Sequence, residues 1–496
     1  MVFGIIGPIG CNKKLVVDNM LLLASHYSYE VVKIGVSDII RNNVKGIVDH
    51  SDQYERVVSL MDAGNLIREQ TKDNSILAKL ASLKVSEERK LARSSRTIYI
   101  IDSIKHSEEV EELKNIYGRG FYLFAVHSSE ENRNIFLEKT CNIADGTNRK
   151  KLIERDKDDK VGHGQGTSEA FHLADFFLTE SGNNQKVWNS LERFFDIIFG
   201  DPFRTPTFHE YAMFMAHSSS VRSSDMSRQV GAVISKGTDI VATGANECPK
   251  GGGGSYWPLF DSVKNLIYDV EGGRDFMRGH DYNAKEKSKI IDALEAGIPE
   301  AILPLLRQNI KKSGIKDITE YGRVVHAEMD AILSCARRGL QCAGCVLFCT
   351  TYPCHNCAKH VVSSGIKRVI YIEPYPKSKA TEMHPDSISN PDNEDDEKLA
   401  LENGKVVFVP FVGVGPRQFI NLFSLGLSAG GKIRRKNEGG YQKSTWERKT
   451  ARPRMKMFET SHVSNEEDLA IETEGVLKKC DHLLVMPEAE GIERES

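Results

Sequence analysis

The sequence predicts two α/β domains in succession, and three observations predict it. Over the first 200 residues, short buried-type strands alternate with helical stretches rich in Glu, Lys and Arg. From about 208 to 430, a hairpin is followed by helix, strand, helix and strand in turn. Between the two, Asp201–Thr207 holds two prolines in seven residues, the clearest boundary in the chain. The expected organisation is a first domain over 1–200, a linker over 201–207, a second domain over 208–430 and a charged extension over 431–496.

Length and composition set the frame. A chain of 496 residues is too long for one ordinary domain. Apolar content of 40% and charged content of 27% are those of a soluble globular protein. A net charge of −3 excludes a surface built entirely for nucleic acid. No apolar run approaches the ~20 residues of a membrane span. Met1–Gly7 is apolar, but it is short and lacks a basic flank, so it reads as a strand rather than a signal peptide. Ten cysteines are too sparse for a disulfide framework, and six of them fall between Cys335 and Cys357. That clustering predicts a reducing, cytoplasmic location and a metal site.

In the first domain, Val2–Ile6 is a buried-type strand running into Gly7-Pro8-Ile9-Gly10-Cys11-Asn12-Lys13-Lys14 and then a helix from Leu15. Thr97–Ile101, ending in Asp102, and Phe121–Val126 are further strands, which predicts a parallel sheet. The glycine-containing loop has the layout of a Walker A phosphate loop with two departures. Asn12 stands for the second glycine, and Lys14 for the hydroxyl residue that binds magnesium. Asn tolerates left-handed backbone, whereas Lys14 cannot ligate Mg²⁺. Gly7, Gly10 and Lys13 are therefore candidates for holding a phosphate without efficient transfer, with Asp102 a candidate acid. The region resembles a P-loop nucleoside-monophosphate-kinase-like domain. A second nucleotide at this loop and a structural remnant of such a fold both stay open.

In the second domain, His209–Ser220 reads as a helix, and Val230–Ser235 with Ile240–Gly244 as a hairpin. Gly251–Arg323 is an insertion opening on four glycines. Val325–Arg338 is a helix, Val346–Thr350 a strand, Cys354–Ser364 a helix and Lys367–Ile372 a strand. Asp392–Glu397 reads as an acidic loop, Val406–Phe411 as a strand and Arg417–Leu425 as a helix. Lys432–Lys456 carries ten Lys or Arg against two Glu, and the chain turns acidic from Glu459. No internal repeat is present, so tandem copies of one module are not expected.

The chemistry concentrates at His326-Ala327-Glu328 and Pro353-Cys354-His355-Asn356-Cys357. One His and two Cys hold a zinc ion by three ligands and leave its fourth position to water, whereas a structural site uses four protein ligands. Glu328, two residues from the His, is placed as general acid/base rather than ligand. A helix over Val325–Arg338 spans about 20 Å at 1.5 Å per residue, which carries Cys342 and Cys345 away from His326. The strand Val346–Thr350 returns about the same distance and brings Cys354 back to it. Cys354 and Cys357 then share the first helical turn, where the helix dipole favours thiolates. Cys335, Cys342, Cys345 and Cys349 read as small buried residues.

This H-x-E…P-C-x-x-C pattern resembles the cytidine deaminase superfamily. Arg222-Ser223-Ser224-Asp225 through Gln229-Val230-Gly231-Ala232 and Gly244-Ala245-Asn246-Glu247-Cys248-Pro249 narrow the resemblance to its deoxycytidylate deaminase family, over residues 210 to 425. The family fold is a cytidine-deaminase-like α/β/α layer structure. The resemblance implies Zn²⁺ on His326, Cys354 and Cys357, proton transfer by Glu328, and a substrate contact from Asn246 to the sugar. Ala327 and Arg222 join Asn246 as candidate substrate-binding residues. Arg222 and Arg228 fit either a phosphate contact or solvated surface charge. Tyr375, Lys377 and Lys379 are weaker phosphate candidates.

A P-loop domain joined to such a deaminase resembles the bacterial anti-phage dCTP deaminases. That resemblance implies depletion of deoxycytidine nucleotides (dCTP or dCMP to dUTP or dUMP), homo-oligomers, no membrane, and in some systems an inhibitory small RNA. Two other readings stay open: a polynucleotide-editing deaminase gripping nucleic acid with Lys432–Lys456, and a non-enzymatic nucleotide sensor. A RibD-like deaminase fits less well, because its two cysteines are spaced further apart.

Overall fold

A computed structural model of the chain describes all residues except 49, 93, 158–165, 319, 376–377, 427–431, 438, 456–458, 481–482 and 487–496. It divides into two compact units, the first made of Met1–Tyr211, Glu373–Pro376 and Pro410–Ser496, the second of Ala212–Ile372 and Lys377–Val409. The stretch from Pro410, expected within the second domain, is thus part of the first unit. No helix among the described residues is long and apolar enough to cross a membrane.

In the first unit, β1 (Val2–Ile6), β2 (Glu30–Gly35), β3 (Thr97–Ile104), β4 (Phe121–His127) and β5 (Phe176–Thr179) form one parallel sheet. Its order is Gly413–Val414, β5, β4, β1, β3, β2, the first of these pairing antiparallel with β5. All five residues of β1 are buried, as a parallel sheet covered on both faces requires. Phe124 stacks on Phe176 at 5.0 Å and Phe3 packs edge-on to Phe195 at 5.7 Å, an aromatic cluster within a mainly aliphatic core. Part of the expected charged extension is built into this unit. Arg448 reaches the buried Asp196 at 3.0 Å, the Trp446 Nε1–H donates to the Phe199 carbonyl at 3.2 Å, and helix Glu459–Cys480 pairs Glu466 with Arg89.

The second unit is built on β6 (Gly231–Lys236) and β7 (Asp239–Ala245), an antiparallel hairpin. Within the insertion, β8 (Leu259–Asp261) and β9 (Leu266–Tyr268) form a separate two-stranded sheet. β10 (Val346–Cys349), β11 (Arg368–Tyr371), β12 (Ile388–Ser389) and β13 (Val406–Pro410) complete a main sheet in the order β12-β13-β11-β10-β6-β7. β10 lies antiparallel to β6 and parallel to β11. Helices Ala327–Arg337 and His355–Ser363 pack on this sheet through Ala331, Cys335, Ala358 and Val361. A Cβ on Gly244 would fall 2.1 Å from the Ala327 carbonyl oxygen, so only glycine lets the first of these helices lie against β7.

The acidic stretch Asp392–Glu397 is not a loop but the start of helix Glu394–Glu402. The Asn393 side chain accepts from the Asp395 and Asp396 amides at 3.0 and 2.9 Å, and four acids fill the first turn. Acids there complement the positive end of the helix dipole, a local signal that the charge run concealed.

Candidate active site

The bend from Val325 into helix Ala327–Arg337 makes His326 the residue that starts the helix, with extended backbone (φ −67°, ψ 154°). Cys354 starts helix His355–Ser363 in the same way, and its Sγ accepts the Cys357 N–H at 3.4 Å. The two helix starts bring three ligand atoms together. His326 Nδ1 lies 3.2 Å from Cys354 Sγ and 3.4 Å from Cys357 Sγ, and all three atoms fall within 4.8 Å of one another. A tetrahedral zinc with bonds of about 2.0 Å to N and 2.3 Å to S needs N···S edges of roughly 3.5 Å, so this donor set fits the ion.

The groups tune one another. A hydrogen bond from Cys357, followed by the contact with His326, holds the Cys354 thiol down to about 4. His326 is lifted to about 9 by its bond to Cys354, and Cys357 is pushed well above the usual thiol range by the same neighbour. Glu328 is buried, and burial first, then the Cys354 thiolate, raises its carboxyl above the ordinary range. Cys335, Cys342, Cys345 and Cys349 are buried in the core, as small apolar residues.

A cavity of about 220 Å³ opens over this set, lined by His326, Ala327, Glu328 and Cys354. Its walls come from the segment before β6 (Asp225, Ser227, Arg228), from Asn246, from Tyr352, and from the insertion (Asp275, Asp281, Asn283, Arg323). The Asn246 amide is already committed to the chain. Its Oδ1 accepts the Val230 N–H at 2.7 Å and its Nδ2 donates to the Arg228 carbonyl at 2.8 Å. One N–H and one lone pair remain for a ligand. Arg222 is not on the cavity wall. Its Nη2 pairs with Asp330 at 2.7 Å and its guanidinium lies 4.8 Å over the Trp257 ring. Asp330 also accepts the Ala245 N–H at 3.2 Å, so Asp330 fastens β7 to its helix and Arg222 balances its charge.

Arg228 is the exposed cation on the wall, with no ion pair among the described residues. Arg323 is tied to Asp275 at 2.5 Å and to the Gly273 carbonyl at 3.1 Å. Asn283 donates to the Ile318 carbonyl at 2.8 Å and leaves its buried Oδ1 unpartnered. Nothing in the sequence marked Asn283 or Arg323, because a glycine-led insertion gives no register that predicts which residues turn inward. Tyr375 does not face this cavity; its hydroxyl donates to Asp156 at 2.5 Å. Lys377 lies outside the described residues.

In the first unit, Gly10, Lys13, Asp102, Ser103, Lys105 and Asp156 line a second cavity of about 360 Å³. Gly10 has φ +86° and rests on the Arg133 backbone. Lys13 Nζ donates to Ser103 Oγ at 2.7 Å, and burial and then Lys105 depress its pKa. Gly7 packs under the Val126 carbonyl. Three of the loop's amides are engaged within the chain. Ile9 N–H donates to Asp156 at 2.9 Å, Cys11 N–H to the Pro8 carbonyl at 3.2 Å, and Lys13 N–H to the Cys11 carbonyl at 2.8 Å. Lys14 points away and pairs with Asp18 at 2.7 Å.

The family described as the cytidine and deoxycytidylate deaminase zinc-binding region matches residues 206–373. The deoxycytidylate deaminase of Enterobacteria phage T4 is 30% identical over 165 residues, covering 33% of this chain and 77% of that protein. The deoxycytidylate deaminase of Schizosaccharomyces pombe is 26% identical over 204 residues, 41% of this chain and 48% of that protein. Among solved structures, the apo dCMP deaminase of cyanophage S-TIM5 aligns at 18% identity with a TM-score of 0.21, covering 41% of this chain and 98% of that one.

Proposed function

Because the chain belongs to the deoxycytidylate deaminase family, we propose that its second unit hydrolytically deaminates free deoxycytidine nucleotides, dCMP and dCTP, to the corresponding deoxyuridine nucleotides and ammonia. The observation that carries this reading is a buried carboxylic acid, Glu328, on the same cavity as His326 and Cys354, whose donor atoms converge with that of Cys357. A zinc ion held by those three residues supplies one thing, the acidification of water toward a pKa of about 7. The chain supplies the rest. Glu328, with its raised pKa, takes a proton from the attacking water and delivers it to N3 of cytosine. It then moves a second proton to the departing N4, so that the C4–N4 bond breaks, ammonia leaves and a C4 carbonyl remains.

Orientation falls to the walls. Asn246 keeps one donor and one acceptor for a sugar hydroxyl, and the buried Oδ1 of Asn283 offers an acceptor. Arg228 supplies charge for phosphate.

The pairing of this unit with one that carries the Gly7–Lys14 loop supports a finer reading: depletion of the dCTP pool as an anti-phage defence. A second nucleotide on Gly7, Gly10 and Lys13, and an inhibitory small RNA, are its candidate effectors. The test is ammonia release from dCMP, dCTP, CMP, CTP and single-stranded DNA under one set of conditions. Turnover of the free deoxynucleotides is expected. Turnover confined to the polynucleotide overturns the reading in favour of an editing enzyme, and no turnover of any substrate favours a nucleotide sensor.

A further inference from the structure

Asn246 lines the cavity, whereas the next residue, Glu247, is buried in the unit at 1% exposure. A carboxylate taken out of water needs donors or a cation, and Glu247 has both. Its Oε1 accepts the Cys248 N–H at 2.8 Å, and its Oε2 accepts the Ser224 N–H at 3.0 Å and the Ser224 hydroxyl at 2.8 Å. Arg274 Nε lies 3.4 Å from the same Oε2. Through its backbone, Glu247 exchanges both N–H···O bonds with Val325, at 3.2 and 3.0 Å, in an antiparallel bridge.

Each of these partners leads to a different wall of the cavity. Ser224 opens the turn in which Asp225 accepts the Ser227 and Arg228 amides at 2.8 and 3.2 Å, and Asp225, Ser227 and Arg228 line the cavity. Arg274 is the root of the insertion wall. It is itself 6% exposed, pairs with Asp269 at 3.1 Å and donates to the Tyr256 carbonyl at 3.1 Å. The residue after it, Asp275, lines the cavity and is paired there with Arg323. Val325 leads directly into His326. The rest of the insertion is lightly packed: β8–β9 pairs with no other strand among the described residues, and helix Tyr282–Glu295 has no buried residue.

We infer that Glu247 is a positioning residue for substrate, an assignment that rests on the deaminase reading only for what the substrate is. Its carboxylate clamps the Arg228 turn with one hand and the insertion with the other, and its backbone fixes both to the strand that carries His326. Walls ordered before the nucleotide arrives need no ordering on binding. Glu247 therefore acts on substrate affinity, and proton transfer stays with Glu328.

Glu247→Gln tests this in the full-length, zinc-loaded protein, because the amide turns one of two acceptors into a donor facing other donors. Ser224→Ala and Arg274→Lys each loosen one clamp. Glu247→Gln should raise KM for dCMP at least about tenfold with kcat within about threefold of the parent, and zinc content should be unchanged. A parent-like KM, or a fall in kcat at unchanged KM as lost folded enzyme would give, overturns the proposal. Hydrogen exchange without substrate is the independent readout, so a parent that turns over no nucleotide sinks the deaminase reading and leaves this test standing. Glu247→Gln should speed exchange both at Ser224–Arg228 and at Tyr256 and Gly273, whose amides bond to the Cys248 and Val270 carbonyls at 3.1 and 3.0 Å. Ser224→Ala should speed only the first group and Arg274→Lys only the second. Faster exchange in one group alone, or in neither, for Glu247→Gln also overturns it.

Discussion

The Asp156 carboxylate accepts the Ile9 backbone N–H at 2.9 Å, so the glycine loop of the first unit already holds an anion belonging to the chain. Lys105 at 2.6 Å and the Tyr375 hydroxyl at 2.5 Å complete its shell. Burial works against the charged form, but Lys105, Tyr375 and the Ile9 amide together keep the Asp156 pKa below the ordinary value.

Two outcomes are expected from this arrangement. Full-length protein should show no rapid magnesium-dependent ATP hydrolysis, because Lys14 offers no ligand for the metal and the Ile9, Cys11 and Lys13 amides are engaged. Rapid phosphate release that Lys13→Ala abolishes would overturn that expectation. Asp156→Ala takes the acceptor away from the Lys105 ammonium, the Tyr375 hydroxyl and the Ile9 N–H and should cost about 3–5 kcal/mol in denaturant unfolding.

Cys354→Ala should remove both zinc and deamination, whereas Cys342→Ala, in the core 9% exposed, should retain both. Metal analysis after dialysis reads the result. Zinc lost from Cys342→Ala and kept by Cys354→Ala would place the metal on the other cysteine pair.

Glu328→Ala should keep the zinc, since the ligand atoms are those of His326, Cys354 and Cys357. Deamination should fall by about 10²–10⁴-fold, the range of general acid/base help. A variant within tenfold of the parent would assign proton transfer to another group. In infected bacteria the same variant should fail to lower dCTP or to protect.

Ribonucleotides should be turned over less efficiently than deoxynucleotides. Asn246 keeps one donor and one acceptor, which a 3′-hydroxyl takes up, so a 2′-hydroxyl entering the cavity needs a partner of its own. Burying it unpaired costs about 1–3 kcal/mol, roughly tenfold or more in kcat/KM. Equal kcat/KM for CTP and dCTP would remove the claim. Arg228→Ala should raise KM for both deoxynucleotides with little change in kcat, as loss of uniform binding does.

His127 gives a pH signature. Burial first, then Arg133, lowers its pKa from 6.5 to about 3. The imidazole is neutral in the fold, while the unfolded chain takes up a proton below about 6.5. Its contribution is therefore intact above that pH and is lost progressively as pH falls toward 3. Between pH 7 and 5 the parent should lose on the order of 2 kcal/mol more stability than His127→Gln in urea unfolding. Equal losses would show that this imidazole titrates normally.

The sequence was most informative where structure is local. The strand Val2–Ile6, the hairpin after Val230 and the helix following His326 were legible from apolar runs, turn glycines and ligand spacing. The zinc triad was legible because strand and helix lengths constrain where a returning chain can meet its start. Long-range pairings left no such mark. Nothing in Gly413–Val414 announces that it joins β5, and nothing in a basic tail announces Arg448 against Asp196. Arg222 illustrates a third limit, since an arginine in a substrate-like segment reads the same whether it faces ligand or, as here, Asp330.

Cys354 serves twice, as a ligand to the metal and as the group that closes the first turn of its own helix. Replacing it by Ala therefore removes two things at once, a metal ligand and the acceptor of the Cys357 N–H. One sulfur thus ties the local fold to the chemistry: a change at this position is felt by the helix start as well as by the metal, where a change at Glu328 is felt by the proton transfer alone.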